Sequence, residues 1–229
     1  MSAPVYEFDW SSIPGALPIV ARGMVVTLEI TATAIAAGIV WGTMLAMARL
    51  TDKPLLALPA AGYVNLFRSM PFVMVILWFY LIVPQLLKSF LGVAESADMK
   101  MVSALAAFAL FQSAYYAEII RAGIQSVPNG QVSSARALGM TYWQTMRLVV
   151  LPQAFRNMLP LLITQAIILF QDTSLVYVIG LADFFGQSYQ VGVRDGRLVE
   201  LLLFAGAVYF VICYGASQLV QRFQRKTTR

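Results

Sequence analysis

The stretch Leu201-Leu-Leu-Phe-Ala-Gly-Ala-Val-Tyr-Phe-Val-Ile-Cys-Tyr-Gly-Ala-Ser-Gln-Leu-Val-Gln221 holds no Asp, Glu, Lys or Arg. A helix rises about 1.5 Å per residue, so roughly 20 apolar residues cross a hydrocarbon core of ~30 Å. This stretch has that length and that composition. Working outward, Ile30–Ala48, Ser69–Leu87 and Met101–Ala117 are equally free of charge, and Asn157–Gln171 is parted from Thr173–Ala182 only by Asp172. Of the 229 residues 59% are hydrophobic and only 12% are charged, where a soluble domain carries about 25%. So little charge cannot clothe a water-facing surface. The sequence predicts an all-α, polytopic membrane protein.

Five spans are predicted: Gly23–Ala48, interrupted by Glu29, then Ser69–Leu87, Met101–Ile124, Met158–Ala182 and Leu201–Gln221. Pro54–Phe67 is apolar but only about 21 Å long as a helix, and it carries Pro54, Pro59 and Gly62. It reads as an interfacial or gate segment, with a sixth span as the alternative. Lys and Arg arbitrate, because they accumulate on the cytoplasmic side. With the N-terminus periplasmic and the C-terminus cytoplasmic, the inner face receives Arg49, Lys53, Arg68, Arg121, Arg136, Arg147, Arg156, Arg222, Arg225, Lys226 and Arg229. The outer face keeps Arg22, Lys88, Lys100, Arg194 and Arg197. A sixth span would set the basic tail against another basic cluster. The chain reads as one transmembrane domain over residues 1–229.

Several chemistries drop out. There is no histidine, and Cys213 is the one cysteine, set in an apolar run where it reads as packing. This removes histidine acid–base work, His–Cys metal sites and an intrachain disulfide. No G-x-x-x-x-G-K-[ST] loop is present, so no ATP site is read in this chain. The net charge of +5 is placed at span ends, which argues against nucleic acid. Glu7 and Asp9 precede the first basic residue, Arg22, so no cleavable leader is read.

The longest cytoplasmic connection, about residues 125–157, is mixed in composition and not linker-like. Gly130 precedes a helix-compatible stretch, Gln131-Val-Ser-Ser-Ala-Arg-Ala-Leu138, which Gly139 then breaks. Thr141 and Gln144 form a capping-box pattern for a second short helix, whose apolar side holds Tyr142, Trp143, Met146 and Val149 or Val150. Pro152 is read as closing that helix before the fourth span. Such an elbow suits a socket in a soluble partner, where aromatic anchors concentrate binding energy. It equally suits an amphipathic element lying on lipid.

Gly130-Gln-Val-Ser-Ser-Ala-Arg-Ala-Leu-Gly139, followed by Leu151-Pro152-Gln153-Ala154-Phe155-Arg156, resembles the coupling-loop signature of bacterial ABC importer membrane subunits. The family pattern is Glu-Ala-Ala, a Gly a short way on, then a Leu-Pro pair. Here those positions hold Ser133, Ser134, Ala135, Gly139, Leu151 and Pro152. Ser133 stands where the family carries Glu. Tyr63-Val-Asn-Leu-Phe-Arg-Ser-Met-Pro71, Ala114-Tyr-Tyr-Ala-Glu-Ile-Ile-Arg-Ala-Gly-Ile124 and Gln171-Asp-Thr-Ser-Leu175 resemble the branch that imports polar amino acids. Trp78-Phe-Tyr-Leu-Ile-Val-Pro84 and the stretch Phe170–Phe185 are similar to its glutamate/aspartate members. The resemblance implies a type I ABC importer fold in the bacterial inner membrane. It assigns ATPase coupling to Gln131, Ser133, Ser134, Ala135, Leu138, Gly139, Met140, Tyr142, Trp143, Leu151, Pro152 and Arg156. It also implies a partner ATPase dimer that binds ATP and Mg, a second and homologous membrane subunit forming a heterodimer, and a periplasmic amino-acid-binding protein. No cofactor is expected in this chain.

Charges inside spans are costly and face protein or water. Glu118 and Arg121 sit three apart on one helical face and are expected to pair, as a structural contact or a gate contact. Asp172, with Gln171, Thr173 and Ser174, is expected to line the translocation path or the seam between subunits. Glu29 is read as lying nearer the outer end of the first span. The competing class is a secondary transporter or channel that needs no ATPase. Such proteins often show internal repeats, and none is visible here.

Overall fold

The structure, a computed structural model, describes residues 7–91 and 98–227. Arg229 of the basic tail lies outside the described residues. Among those described there is no strand, and the α-helices follow in order as α1 (Ser12–Leu50), α2 (Pro54–Arg68), α3 (Phe72–Leu91), α4 (Lys100–Gln125), α5 (Asn129–Ala137), α6 (Tyr142–Thr145), α7 (Leu151–Asp172), α8 (Phe184–Arg194) and α9 (Leu198–Thr227). A π-helical turn, Met146–Val150, joins α6 to α7, and a 3-10 segment, Thr173–Ile179, extends α7. Five segments are long and apolar enough to cross a membrane: Ser12–Leu50, Phe72–Phe90, Lys100–Gln125, Tyr142–Ile179 and Leu198–Arg222. That is the number the sequence predicts.

Span ends shift by several residues from the sequence reading, and two of the differences have a clear physical reason. The first helix begins at Ser12 rather than Gly23 and runs through Pro18 and Arg22. A charge ends an apolar run but not a helix, and Arg22 simply stands exposed on its surface. Glu29 consequently sits nearly midway along α1, also exposed, rather than near its outer end. The second difference is at Pro152, which does not close the short helix before the fourth span. The helix continues through it into α7, because the widened π turn just before it accommodates a residue with no N–H. Gln153 Nε2 donates to the Val149 carbonyl at 2.9 Å, satisfying one of the groups this irregular turn leaves.

The core forms around α4, the most enclosed span. Phe72 of α3 stacks on Phe111 of α4 at 4.2 Å and meets Phe108 edge-on at 4.6 Å. Ile30 and Ala34 from α1, Val75 and Ile76 from α3, and Leu169, Val176 and Ile179 close the cluster. Lipid offers no hydrophobic drive for helices to associate, so close van der Waals approach must supply it. α1 and α4 achieve that approach through glycine. A Cβ on Gly42 would lie 2.8 Å from Tyr116 Cβ and 2.9 Å from the Ser113 carbonyl oxygen. On Gly38 it would lie 2.8 Å from the Tyr116 ring. α4 is tied to α7 by Gln165 Nε2 donating to Gln112 Oε1 at 2.9 Å, between two buried amides.

The start of α8 is anchored to α1 by a residue that the sequence reading does not single out. Asp183 is fully buried and caps α8, accepting from Gly186 N at 2.8 Å and Phe185 N at 3.3 Å. Thr27 of α1 accepts from Phe184 N at 3.1 Å. A Cβ on Gly23 would fall 2.5 Å from the Asp183 carbonyl oxygen, so α8 is pressed directly onto α1. Burial pushes the Asp183 carboxyl up to about 6, against the opposing pull of its backbone donors. An Asp three residues before Gly186 at the head of an amphipathic stretch is the signal that marks such a cap.

Candidate functional site: a helix–glycine–helix elbow

The elbow is built by two local devices in succession. α5 ends at Ala137, and Gly139 takes a left-handed conformation, φ 79°. Gly139 N donates to the Arg136 carbonyl at 2.9 Å and Met140 N to the Ala135 carbonyl at 3.1 Å. This pair of bonds is the Schellman closure of a helix, and it requires the positive φ that glycine gives freely. One residue later the chain restarts. Gln144 N donates to Thr141 Oγ1 at 3.3 Å, and Thr141 N donates to Gln144 Oε1 at 2.8 Å, completing a capping box. A reversal this short, closed by its own hydrogen bonds at both ends, behaves as a stiff joint.

One face of the elbow is docked. Ala135, Thr145 and Val150 are buried, and Val127, Val150 and Ala154 pack with Ile124, Val132 and Met146. Asn157 Nδ2 donates to Ser126 Oγ at 2.8 Å, bracing the start of the fourth span against the end of α4. The other face is bare. Leu138 is 83% exposed and Trp143 78% exposed, with Tyr142 edge-on to Trp143 at 5.6 Å. Gln131, Ser133, Ser134, Gly139, Leu151, Pro152 and Arg156 are exposed as well, and Met140 is half-buried. Of the twelve residues that sequence reasoning assigns to coupling, Ala135 alone is fully buried, holding α5 to the bundle. Beside the elbow a crevice of about 540 Å³ opens between Met47, Leu50 and Asp52 at the end of α1, Ile124 of α4, and Tyr142 and Met146.

Above the elbow stands a charged knot. Glu118 pairs with Arg121, as the i,i+3 spacing predicts. Sequence spacing gives no sign of its other partners: Arg49 from the end of α1 binds the same carboxylate, and Arg68 from the end of α2 lies 3.7 Å away. One carboxylate thus gathers three helices at the end of the molecule where the elbow hangs.

The four residues around Asp172 do not share one face. Gln171 is exposed, and Asp172 and Ser174 are half-buried. Thr173 points into the core, with Oγ1 donating to the Phe170 carbonyl at 2.8 Å. The change from α-helix to 3-10 helix at this point rotates successive side chains differently from the regular helix that sequence reasoning assumes. Thr164 and Gln171, seven residues apart, are exposed polar groups on α7 within an apolar span.

Among the described residues, an all-helical bundle of five spans with a half-docked elbow defines a polytopic membrane protein. Residues 38–229 match the family model described as the binding-protein-dependent transport system inner membrane component. The chain belongs to that family. It is 59% identical over 223 residues to the glutamate/aspartate import permease protein GltK of Escherichia coli O157:H7, covering 97% of this chain and 100% of that one. It is 32% identical over 221 residues to the arginine transport system permease protein ArtQ of Bacillus subtilis, covering 96% of this chain and 97% of that one. Among solved structures, a crystal structure of an amino acid ABC transporter matches with a TM-score of 0.86 and 32% identity, over 96% of this chain and 100% of its own. The MetNI methionine ABC transporter shares the fold, with a TM-score of 0.68, 19% identity, and 90% and 97% coverage.

Proposed function

We propose that this chain is the membrane subunit of an ATP-driven importer for glutamate and aspartate, and that its elbow is the seat of the ATPase. The elbow's exposed face carries the argument. Tyr142, Trp143 and Leu138 stand bare at the end of the molecule while the opposite face is locked to α4 and α7. A joint of this kind passes a push into the spans instead of absorbing it. The likeness to GltK over the whole of that protein supports the substrate.

In this reading, closure of a partner ATPase dimer on ATP and Mg drives the elbow, and the fourth span swings with it. The two conformations are biased only by free energy that the ATPase supplies, so the elbow stays docked in both. A periplasmic binding protein delivers the amino acid, and the pathway runs between this chain and a second, homologous membrane subunit. The N-terminus lies outside and the C-terminus inside the bacterial inner membrane, following the arginine bias. Thr164, Gln171, Asp172 and Ser174 line the seam or path, because polar groups exposed within a span do not face lipid. Glu118 and Arg121 hold the inner end of that path together.

The test is uptake of labelled glutamate by proteoliposomes of the full complex. Uptake that needs internal ATP and the binding protein, and is lost with a bulky charge at Gly139, supports the reading. Uptake indifferent to ATP overturns it in favour of a secondary transporter. ATP-dependent uptake of a different amino acid keeps the coupling and removes the substrate.

A further inference from the structure

We propose that the corner where α1, α2 and α4 meet binds the headgroup of an anionic phospholipid, with Arg68 as the phosphate contact and the bare leucine face of α2 as the seat of the acyl chains. The inference rests on the membrane reading of the chain and not on its substrate.

The charge balance is the first observation. Glu118 is the one carboxylate shared by Arg49, Arg121 and Arg68. Two positive charges are left over, and Lys53 and Asp52 in the α1–α2 link cancel each other. The C-terminal carbonyls of α1 and α2 carry at most about half a negative charge each, so the corner stays positive.

The three guanidiniums are not equivalent. The side chains of Arg49 and Arg121 are 15% and 24% exposed and lie tight against Glu118. Arg68 is 41% exposed and stands off at 3.7 Å. Its guanidinium lies over the Tyr115 ring, 5.6 Å from the centroid, which holds it in place without consuming its donors. A planar fork of N–H groups, fixed from below and open outward, matches the geometry of a phosphate.

The second observation is the helix that carries Arg68. At 15 residues α2 is about 22 Å long and cannot cross the bilayer. Ala60 and Val64 on one side are buried, Val64 against Ala114 and Ala117 of α4, and Tyr63 Oη donates to the Leu110 carbonyl at 2.9 Å. On the other side Leu55 is 86%, Leu58 70% and Leu66 58% exposed, at i, i+3 and i+11 along one stripe. A helix docked by one face, apolar on the other, and ending in an arginine lies at the boundary between headgroups and chains. A protein partner for this corner would need to bring carboxylates to the arginines and apolar side chains to the leucines. One anionic lipid supplies both, and basic pockets between membrane helices bind such headgroups.

The experiment places the assembled importer in nanodiscs of equal phosphatidylglycerol and phosphatidylcholine and counts the lipids retained on the complex by native mass spectrometry. The expected result is enrichment of phosphatidylglycerol, falling about fivefold in Arg68→Gln and recovered only in part in Arg68→Lys, which keeps the charge but not the planar fork. Arg222→Gln, a charge removed elsewhere, leaves the enrichment as it is. A spin label at Leu58→Cys, which touches neither the ion knot nor the elbow, is expected to be relaxed by lipid-soluble oxygen. Absence of enrichment in the unaltered complex overturns the proposal. So does an Arg222→Gln loss equal to that of Arg68→Gln, which reports bulk surface charge, or a label at residue 58 shielded by the second membrane subunit. None of these readouts involves transport, so a wrong substrate leaves them standing.

Discussion

The elbow and the seam between α1 and α4 both depend on glycine, and they use it for opposite ends. At Gly139 the need is conformational: φ is 79°, and nothing lies near the place where a Cβ would go. At Gly42 the backbone is ordinary helix and the need is space, since a Cβ would meet the Ser113 carbonyl oxygen at 2.9 Å. The elbow is assembled from its own backbone hydrogen bonds and leaves its large side chains bare. The seam has no surface at all and exists only where two helices touch. In the function proposed above, the difference separates a part that transmits force from a part that resists it.

Mutation should therefore break the two regions in different ways. The largest effect is expected at the seam. Gly42→Leu forces α1 off α4 at a cost of about 3 kcal/mol or more, so folded subunit recovered by size-exclusion chromatography should fall sharply. Trp143→Ala should leave the subunit's own thermal midpoint unchanged, because the ring makes little contact within the chain. It should weaken ATPase binding by about 2 kcal/mol, or about 30-fold, read by titrating purified ATPase onto the permease. Loss of stability without loss of binding would reverse the roles given to the two regions.

Gly139→Ala lies between these extremes. Holding alanine in the left-handed region costs about 1–2 kcal/mol, while the space around it is free. The complex should assemble, and ATP-dependent uptake should fall by about tenfold as the joint relaxes toward another angle. Unchanged uptake would mean that the angle of the elbow is immaterial.

The smallest effect tests a third anchor, Asp183. Its carboxyl sits at about 6 when folded, against an ordinary value of 3.8. Between those values the folded chain holds a proton that the unfolded chain has released. Stability should accordingly rise as pH falls through 6 toward 4, and be flat above 7. Thermal unfolding at pH 4.5 and 7.5 checks the slope, and Asp183→Asn, which keeps a capping oxygen, should abolish it.

Legibility in the sequence follows the same division. The five spans are legible because burial in lipid acts on composition, residue by residue. The elbow is legible because Gly139, Thr141 and Gln144 act on their own backbone within a few positions. The Glu118–Arg121 pair is legible for the same reason. Errors arise where one local rule stands in for a longer-range fact: Pro152 reads as a stop until the π turn before it is known, and Arg22 reads as a span end although the helix passes through it. Thr173 reads as a neighbour of Asp172 on one surface, yet the 3-10 segment turns it inward.

By itself, then, the sequence determined the class of the molecule, the number of its crossings and the shape of its elbow. Only the tertiary structure decided that Arg49 and Arg68 join Arg121 on one carboxylate, that Gly38 and Gly42 are worn against Tyr116, and that Asp183 fastens α8 to α1. Each of these joins residues tens of positions apart. Hydropathy and capping act through bonds and solvent at a single place in the chain, whereas a shared counter-ion or a close helix crossing exists only once distant segments have been brought within a few ångströms.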